Sequence, residues 1–278
     1  MPDSLTLLFD GSFEGLMTAF FEAYARRPHP GALAKESACQ LEFGKRYHAV
    51  VTDPAKANRV VRGIQKNIGD FAYEKVWLAF LADQPGVSQA IYRYLLWGFS
   101  TGPAIRFRLA DDRALAVDKA VSLVTREAGH LQQFLRFREM EGGVYYGEIS
   151  PQHAILPLLM PHFAQRFAVQ PFIIQDLTHR VAGVALGGEW YITPSSSFTL
   201  PSVSGREKAI QQMWRTFYHS VAVKERINPR LQRQLMPKKY WKHLTEMAPF
   251  PEEAPSAYPP VRPAFSGETS PAAPKRLT

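Results

Sequence analysis

A single cysteine, Cys39, stands among 278 residues, which excludes an intramolecular disulfide framework and any cysteine-rich zinc or iron–sulfur site built from this chain alone. No His lies at motif spacing from it, so Cys39 reads as an ordinary thiol, and a reducing compartment fits the composition. No apolar run approaches the roughly 18 residues of a membrane span. The opening Met1–Phe9 has no basic n-region and runs into Asp10 and Glu14. A cytoplasmic protein without membrane contact is therefore expected. Acidic residues are the minority charge, 25 Asp and Glu against 33 Lys and Arg, and the net +8 favours polyanionic partners. The chain has no P-loop, no G-x-S-x-G elbow and no Rossmann glycine fingerprint. His130, His153, His162 and His179 are not at zinc-ligand spacing, so ordinary polar or packing roles are expected of them. Neither a cofactor nor a metal is expected.

What is present is a globular pattern, 46% apolar, read as α+β. Leu5 to Phe9, the turn Asp10-Gly11-Ser12 and the helically spaced Phe13, Leu16, Met17, Phe20, Phe21 and Tyr24 predict strand, turn and helix. Tyr47 to Thr52 followed by Asp53-Pro54 repeats the arrangement, with Asp53 placed to cap and Pro54 to begin a helix. Pro28 to Lys45 between them is rich in small residues and reads as a loop. Two helices are predicted within Phe71–Phe99, broken at Pro85-Gly86, and a third from Arg113 to about Leu131. The half 1–131 is thus helix-rich. In 132–200, runs around Glu141-Gly142-Gly143 signal a hairpin. A helix from Gln152 to Phe167 and strands at 172–177, 181–186 and 189–193 complete an expected antiparallel β-β-α-β-β-β block. A long helix over Arg206–Glu225 and a shorter one after Pro237 close the folded part, 1–247. Residues 248–278 hold eight of the 22 prolines across 249–278 and read as a disordered tail.

The basic excess concentrates in 201–247, where Arg206 to His243 carries ten Lys or Arg against only Glu207 and Glu225. At about 100° per residue, Ile210, Met213, Trp214, Phe217 and Val221 share one side of the helix, while Lys208, Arg215 and Arg226 fall opposite. The apolar side is expected to pack and the basic side to meet phosphate. Arg230, Arg233, Lys238, Lys239 and Trp241 follow, interleaving cations with an aromatic as backbone and stacking contacts need. Arg136 and Arg138 share a face of the hairpin. Lys56, Arg59, Arg62 and Lys66 form a second stripe opposite Val60, Val61, Ile64 and Ile68. Solvated faces of amphipathic elements give the same patterns.

For catalysis the candidates are Asp10, Glu14 and Asp53, carboxylates at the ends of adjacent strands that could move a proton or hold a metal. Helix capping explains Asp10 and Asp53 without chemistry.

Phe9-Asp10-Gly11-Ser12-Phe13-Glu14-Gly15-Leu16, Phe134-Leu135-Arg136-Phe137, His162-Phe163-Ala164-Gln165-Arg166-Phe167 and Glu225-Arg226-Ile227-Asn228-Pro229-Arg230-Leu231-Gln232, with Met236-Pro237-Lys238-Lys239-Tyr240-Trp241, together resemble a bacterial family assigned to DNA metabolism and DNA repair. The resemblance spans residues 5 to 246. It implies a radical-SAM protein as partner, since members accompany one assigned to DNA modification or repair. Some relatives are fused to a uracil-DNA glycosylase domain, and a protein of that type is a further implied partner. This chain ends soon after Trp241, so base excision is not expected of this polypeptide alone. The resemblance transfers no catalytic residue. The resulting expectation is a DNA-binding accessory protein. The alternatives are a nucleic-acid-processing enzyme using Asp10, Glu14 and Asp53, or a protein-interaction scaffold.

Overall fold

The computed structural model describes residues 5–26, 29–40, 42–197 and 199–247. The expected Pro-rich tail lies outside them. The architecture is α+β, as the periodicities imply, and no helix among the described residues is long and apolar enough to cross a membrane.

The chain opens with β1 (Leu5–Phe9) and α1 (Phe13–Ala25). Leu7, Leu8 and Phe9 are all buried, as a central parallel strand requires. β3 (Arg46–Ala49) and α2 (Pro54–Asn67) repeat the unit, with Asp53 as cap and Pro54 at the first helical position. Residues 28–45, expected to be a loop, instead contribute β2 (Ala32–Lys35), which pairs parallel with β1 to give the order β2-β1-β3. Its sequence Ala-Leu-Ala-Lys carries one large apolar residue, so no periodicity betrays it. Tertiary contacts hold it: the Gln89 side chain accepts from Leu33 N at 3.1 Å and donates to Gly31 O at 2.9 Å.

Helices α3 (Asp70–Phe80), α4 (Val87–Thr101) and α5 (Asp112–Phe134) follow, Gly86 in the left-handed region ending the break before α4. α5 packs against both α3 and α4. Tyr94, Leu95, Val117 and Val124 join Leu7, Leu16 and Ile64 in one apolar core, which continues into the second sheet through Ile149, Leu159 and Ile174.

That sheet has the order β4 (Phe137–Glu139), β5 (Tyr145–Ile149), β6 (Phe172–Asp176), β7 (Val181–Leu186) and β8 (Glu189–Pro194). The hairpin β4–β5 and the meander β6–β7–β8 are antiparallel as expected, but β5 and β6 pair parallel. The block is mixed because α6 (Leu156–Arg166) between these strands is a crossover that carries the chain back to the end where β5 began.

The C-terminal helix α7 (Gly205–Ser220) stops five residues before the expected Glu225 and is followed by α8 (Pro229–Leu235) and a 3-10 helix, Lys238–His243. The side of α7 that packs is not the expected one. Glu207 is buried and Gln211, Arg215 and Tyr218 are half-buried, whereas Ile210, Met213, Trp214, Phe217 and Val221 are all exposed, Met213 to 60%. Three contacts fix how α7 sits. The Trp214 indole N–H donates to Glu246 Oε2 at 3.3 Å, Arg215 Nε donates to Thr245 O at 3.1 Å, and the 202–204 segment is tied to β4 through Ser204 N to Glu139 O at 3.0 Å.

Candidate functional site

The three carboxylates named from the sequence lie around the carboxyl ends of β1 and β3, two of them with their oxygens engaged. Asp10 Oδ1 accepts from Ser12 N at 2.8 Å and Ser12 Oγ at 2.7 Å, and its Oδ2 accepts from Thr52 Oγ1 at 2.8 Å. Burial of Asp10 alone would raise its pKa, but the Ser12 and Thr52 hydrogen bonds outweigh that and hold it below the ordinary carboxylate range. Asp53 Oδ1 accepts from Ala55 N and Lys56 N. Glu14 is exposed in the first turn of α1, where it complements the helix dipole. Asp53 is thus the N-cap of α2, whereas α1 is capped by Ser12, whose Oγ accepts from Gly15 N, and Asp10 braces the turn before it. Among the described residues no group of three or more His, Cys, Asp or Glu is placed to hold a metal ion.

The basic candidates divide in two. Arg136 Nη2 donates to the buried Glu246 at 2.7 Å, Arg138 Nη2 donates to Glu148 at 2.5 Å, Lys239 Nζ donates to the buried Glu127 at 2.5 Å, and Arg215 bonds Thr245 O. Arg136 ties the start of the hairpin to the C-terminal segment, Arg138 bridges β4 and β5, Lys239 ties the C-terminal segment to α5, and Arg215 ties α7 to residue 245. Lys208, Arg226, Arg230, Arg233 and Lys238 are instead exposed. Trp241 anchors its indole on Met236 O at 2.9 Å, with Lys238 5.8 Å from its ring centroid. α8 is tied to α7 by Gln232 Nε2 donating to Tyr218 Oη at 3.1 Å. Trp214 and Phe217 on α7 form an exposed stacked pair, with ring centroids 5.8 Å apart at 28°. On α2, Arg62 and Lys66 face solvent, Lys56 pairs with Glu22 at 3.2 Å, and Arg59 lies 5.6 Å from the Phe21 ring.

A cleft that sequence reasoning did not find lies where α5, the start of α6 and the 237–240 segment meet. Glu127, 4% exposed, accepts from Gln152 N and His153 N through Oε2 at 2.9 Å each, and from Lys239 through Oε1. Burial opposes the Lys239 charge, but the Glu127 carboxylate outweighs it and holds the ammonium above its ordinary range. His153, 2% exposed, has an unpartnered buried Nδ1, and burial pushes its imidazole below the ordinary value. The Tyr240 hydroxyl is likewise buried without a partner in hydrogen-bond geometry, and Lys239 Nζ stands 4.9 Å from the Tyr240 ring centroid. With Arg126 and His130 these side chains line a cavity of about 450 Å³. Nearby, the fully buried Asp176 accepts from Thr178 N and His179 N and pairs with His179 Nδ1 at 2.6 Å, which raises the His179 pKa. No spacing signals this cleft, because Glu127, His153 and Tyr240 come together only through the fold.

The chain combines an α+β fold, exposed cations in its C-terminal segment and a polar, cation-bearing cleft. By the match of its residues 85–246, the chain belongs to DUF4130, a family whose domain has no known function. That span contains every cleft residue and all of α4 to α8, and leaves the first parallel sheet outside. A search of curated proteins found no match.

Proposed function

We propose that this chain is a nucleic-acid-binding accessory protein of DNA metabolism that acts with a partner enzyme of the radical-SAM class. The observation that carries the binding reading is a C-terminal segment that exposes both the stacked pair Trp214–Phe217 and the cations Lys208, Arg226, Arg230, Arg233 and Lys238. Exposed aromatic rings can stack on bases and exposed cations can meet phosphate. The accessory reading draws on the same helix. Ile210, Met213 and Val221 leave apolar area in water that a partner surface would remove. The radical-SAM assignment rests on the family resemblance.

The test is anisotropy titration of single-stranded and duplex DNA across a salt series. Lys208→Gln, Arg230→Gln and Arg233→Gln are each expected to lower the magnitude of the log–log salt slope by about 1. Arg215→Gln is expected to leave the slope unchanged, because that side chain is engaged by Thr245. Trp214→Ala should weaken single-strand binding without moving the slope. Unchanged affinity and slope in the three exposed variants would end the reading. A pull-down from native cells with DNase treatment tests the partner: retention of a radical-SAM protein after digestion is expected, and its loss would show that only DNA bridged the two.

A further inference from the structure

The Glu127 cleft offers two buried polar atoms without a partner in hydrogen-bond geometry, His153 Nδ1 and the Tyr240 hydroxyl that Lys239 approaches, together with a positive field. His153 Nδ1 and Tyr240 Oη are buried and unpartnered beside the same cavity, and native chains leave few such atoms unsatisfied. Glu127 brings the cleft's negative charge, but two backbone N–H groups and Lys239 already engage its oxygens. Lys239 has three donors and spends one on Glu127, its side chain is 49% exposed, and Arg126 beside it is exposed. The balance of Arg126 and Lys239 against Glu127 is one positive charge, so the cavity favours a small anion.

The cavity also limits the ligand's size and shape. At about 450 Å³ it exceeds what a bare phosphate fills and falls in the range of small-molecule sites. Its wall carries aromatic surface, with the His130 and Tyr240 rings 5.9 Å apart and edge to face. A flat group can lie against that wall, and a neutral His153 can donate or accept one hydrogen bond at Nδ1, according to tautomer.

We propose that this cleft binds a nucleoside 5′-phosphate, free or as the phosphorylated end of a nucleic-acid strand, with Arg126 and Lys239 on the phosphate and His153 Nδ1 and Tyr240 Oη on the base or sugar. The choice of a nucleotide among phosphate esters rests on the nucleic-acid reading above. The cations and the unpartnered atoms stand without it.

The experiment uses the full chain with the four deoxynucleoside 5′-monophosphates, inorganic phosphate, and one oligonucleotide carrying either a 5′-phosphate or a 5′-hydroxyl, read by thermal shift and calorimetry. At least one nucleotide or the 5′-phosphorylated strand should raise the melting temperature in a saturable way. Arg126→Gln and Tyr240→Phe should each weaken that ligand about tenfold. The ligand-free melting temperature of Tyr240→Phe, whose lost hydroxyl is approached by Lys239, is measured alongside, and weaker binding at a ligand-free melting temperature within about 2 °C of wild type separates a binding defect from a folding one. Protection by the free monophosphates assigns a mononucleotide site, and protection by the 5′-phosphorylated strand alone assigns a strand-end site. The proposal is overturned if none of these ligands protects, if both variants bind like wild type, or if inorganic phosphate binds as tightly as the nucleotides. A chain that binds strands through α7 and α8 yet takes no nucleotide sinks the cleft alone. A chain that takes nucleotide but keeps its salt slope in the α7 and α8 variants sinks only the basic-face reading.

Discussion

Glu127→Gln tests whether the carboxylate on α5 locks the start of α6 and the C-terminal segment together. In the native chain its Oε2 accepts two backbone N–H bonds, from Gln152 and His153, and its Oε1 takes Lys239. The amide keeps the shape and can still accept from the two N–H groups, but as a neutral acceptor. A hydrogen bond to a charged group contributes about 1.5–3 kcal/mol and a neutral one about 0.5–1.5, so the two backbone bonds together lose about 2–3 kcal/mol. Lys239 is half exposed and can return to water, so loss of the ion pair adds no more than about 1 kcal/mol. The sum is roughly 3 kcal/mol, which in a folded unit of this size lowers the melting temperature by about 6–12 °C. Lys239→Gln should cost only about 1 kcal/mol, because Glu127 retains both backbone bonds. Calorimetry measures the two shifts, and amide hydrogen exchange should show protection lost at Gln152 and His153 in Glu127→Gln. A Glu127→Gln protein melting within about 2 °C of wild type, or a Lys239→Gln protein as unstable as Glu127→Gln, would refute the assignment of the latch to the backbone bonds.

Burial of Glu246 would raise its pKa, but Arg136 and Trp214 outweigh this and hold it below 4.5. Its contribution to stability is therefore complete above the ordinary carboxylate range and lost as pH falls through the lower folded value, so Glu246→Gln should reduce stability at neutral pH and flatten its loss on acidification below that range in urea titrations. His179 has the opposite sign: Asp176 raises its pKa above 6.5, so its contribution is complete below 6.5 and lost as pH rises through the folded value. The stability difference between wild type and His179→Gln should shrink across that interval, and a difference independent of pH would exclude the Asp176 pair as its source. Gly15→Ala, normally favourable inside a helix, should here destabilise by about 1–3 kcal/mol, because its Cβ would stand 2.1 Å from Asp10 Oδ1. Thermal melts of Gly15→Ala alone and in an Asp10→Ala background should show that cost relieved in the second.

Local chemistry made much of the fold legible. Ser12 and Asp53 cap α1 and α2 through bonds that span two or three residues. The hairpin β4–β5 turns on Gly142 and Gly143, both in the left-handed region. Such elements are readable because every interacting group lies within a few positions of its partner.

Long-range contacts decided the rest. β2 exists because Gln89, 56 residues away, satisfies the backbone of Leu33, and the parallel pairing of β5 with β6 follows from where α6 returns the chain. The amphipathic pattern of α7 named its two faces but not their orientation. Residues 245 and 246, some 30 positions downstream, bond Arg215 and Trp214 and so fix how α7 sits. For Arg136, Arg138, Arg215 and Lys239 the charge is visible in the sequence, but the carboxylate or carbonyl that each engages is not. Glu127 and Lys239 are 112 residues apart, and only folding could show that one engages the other beside an unpartnered histidine and tyrosine. The sequence by itself determined the charge, the caps and the periodicities, since these are properties of single residues and near neighbours. Which polar groups engage one another depends on contacts between residues far apart in the chain, and these exist only once it has folded.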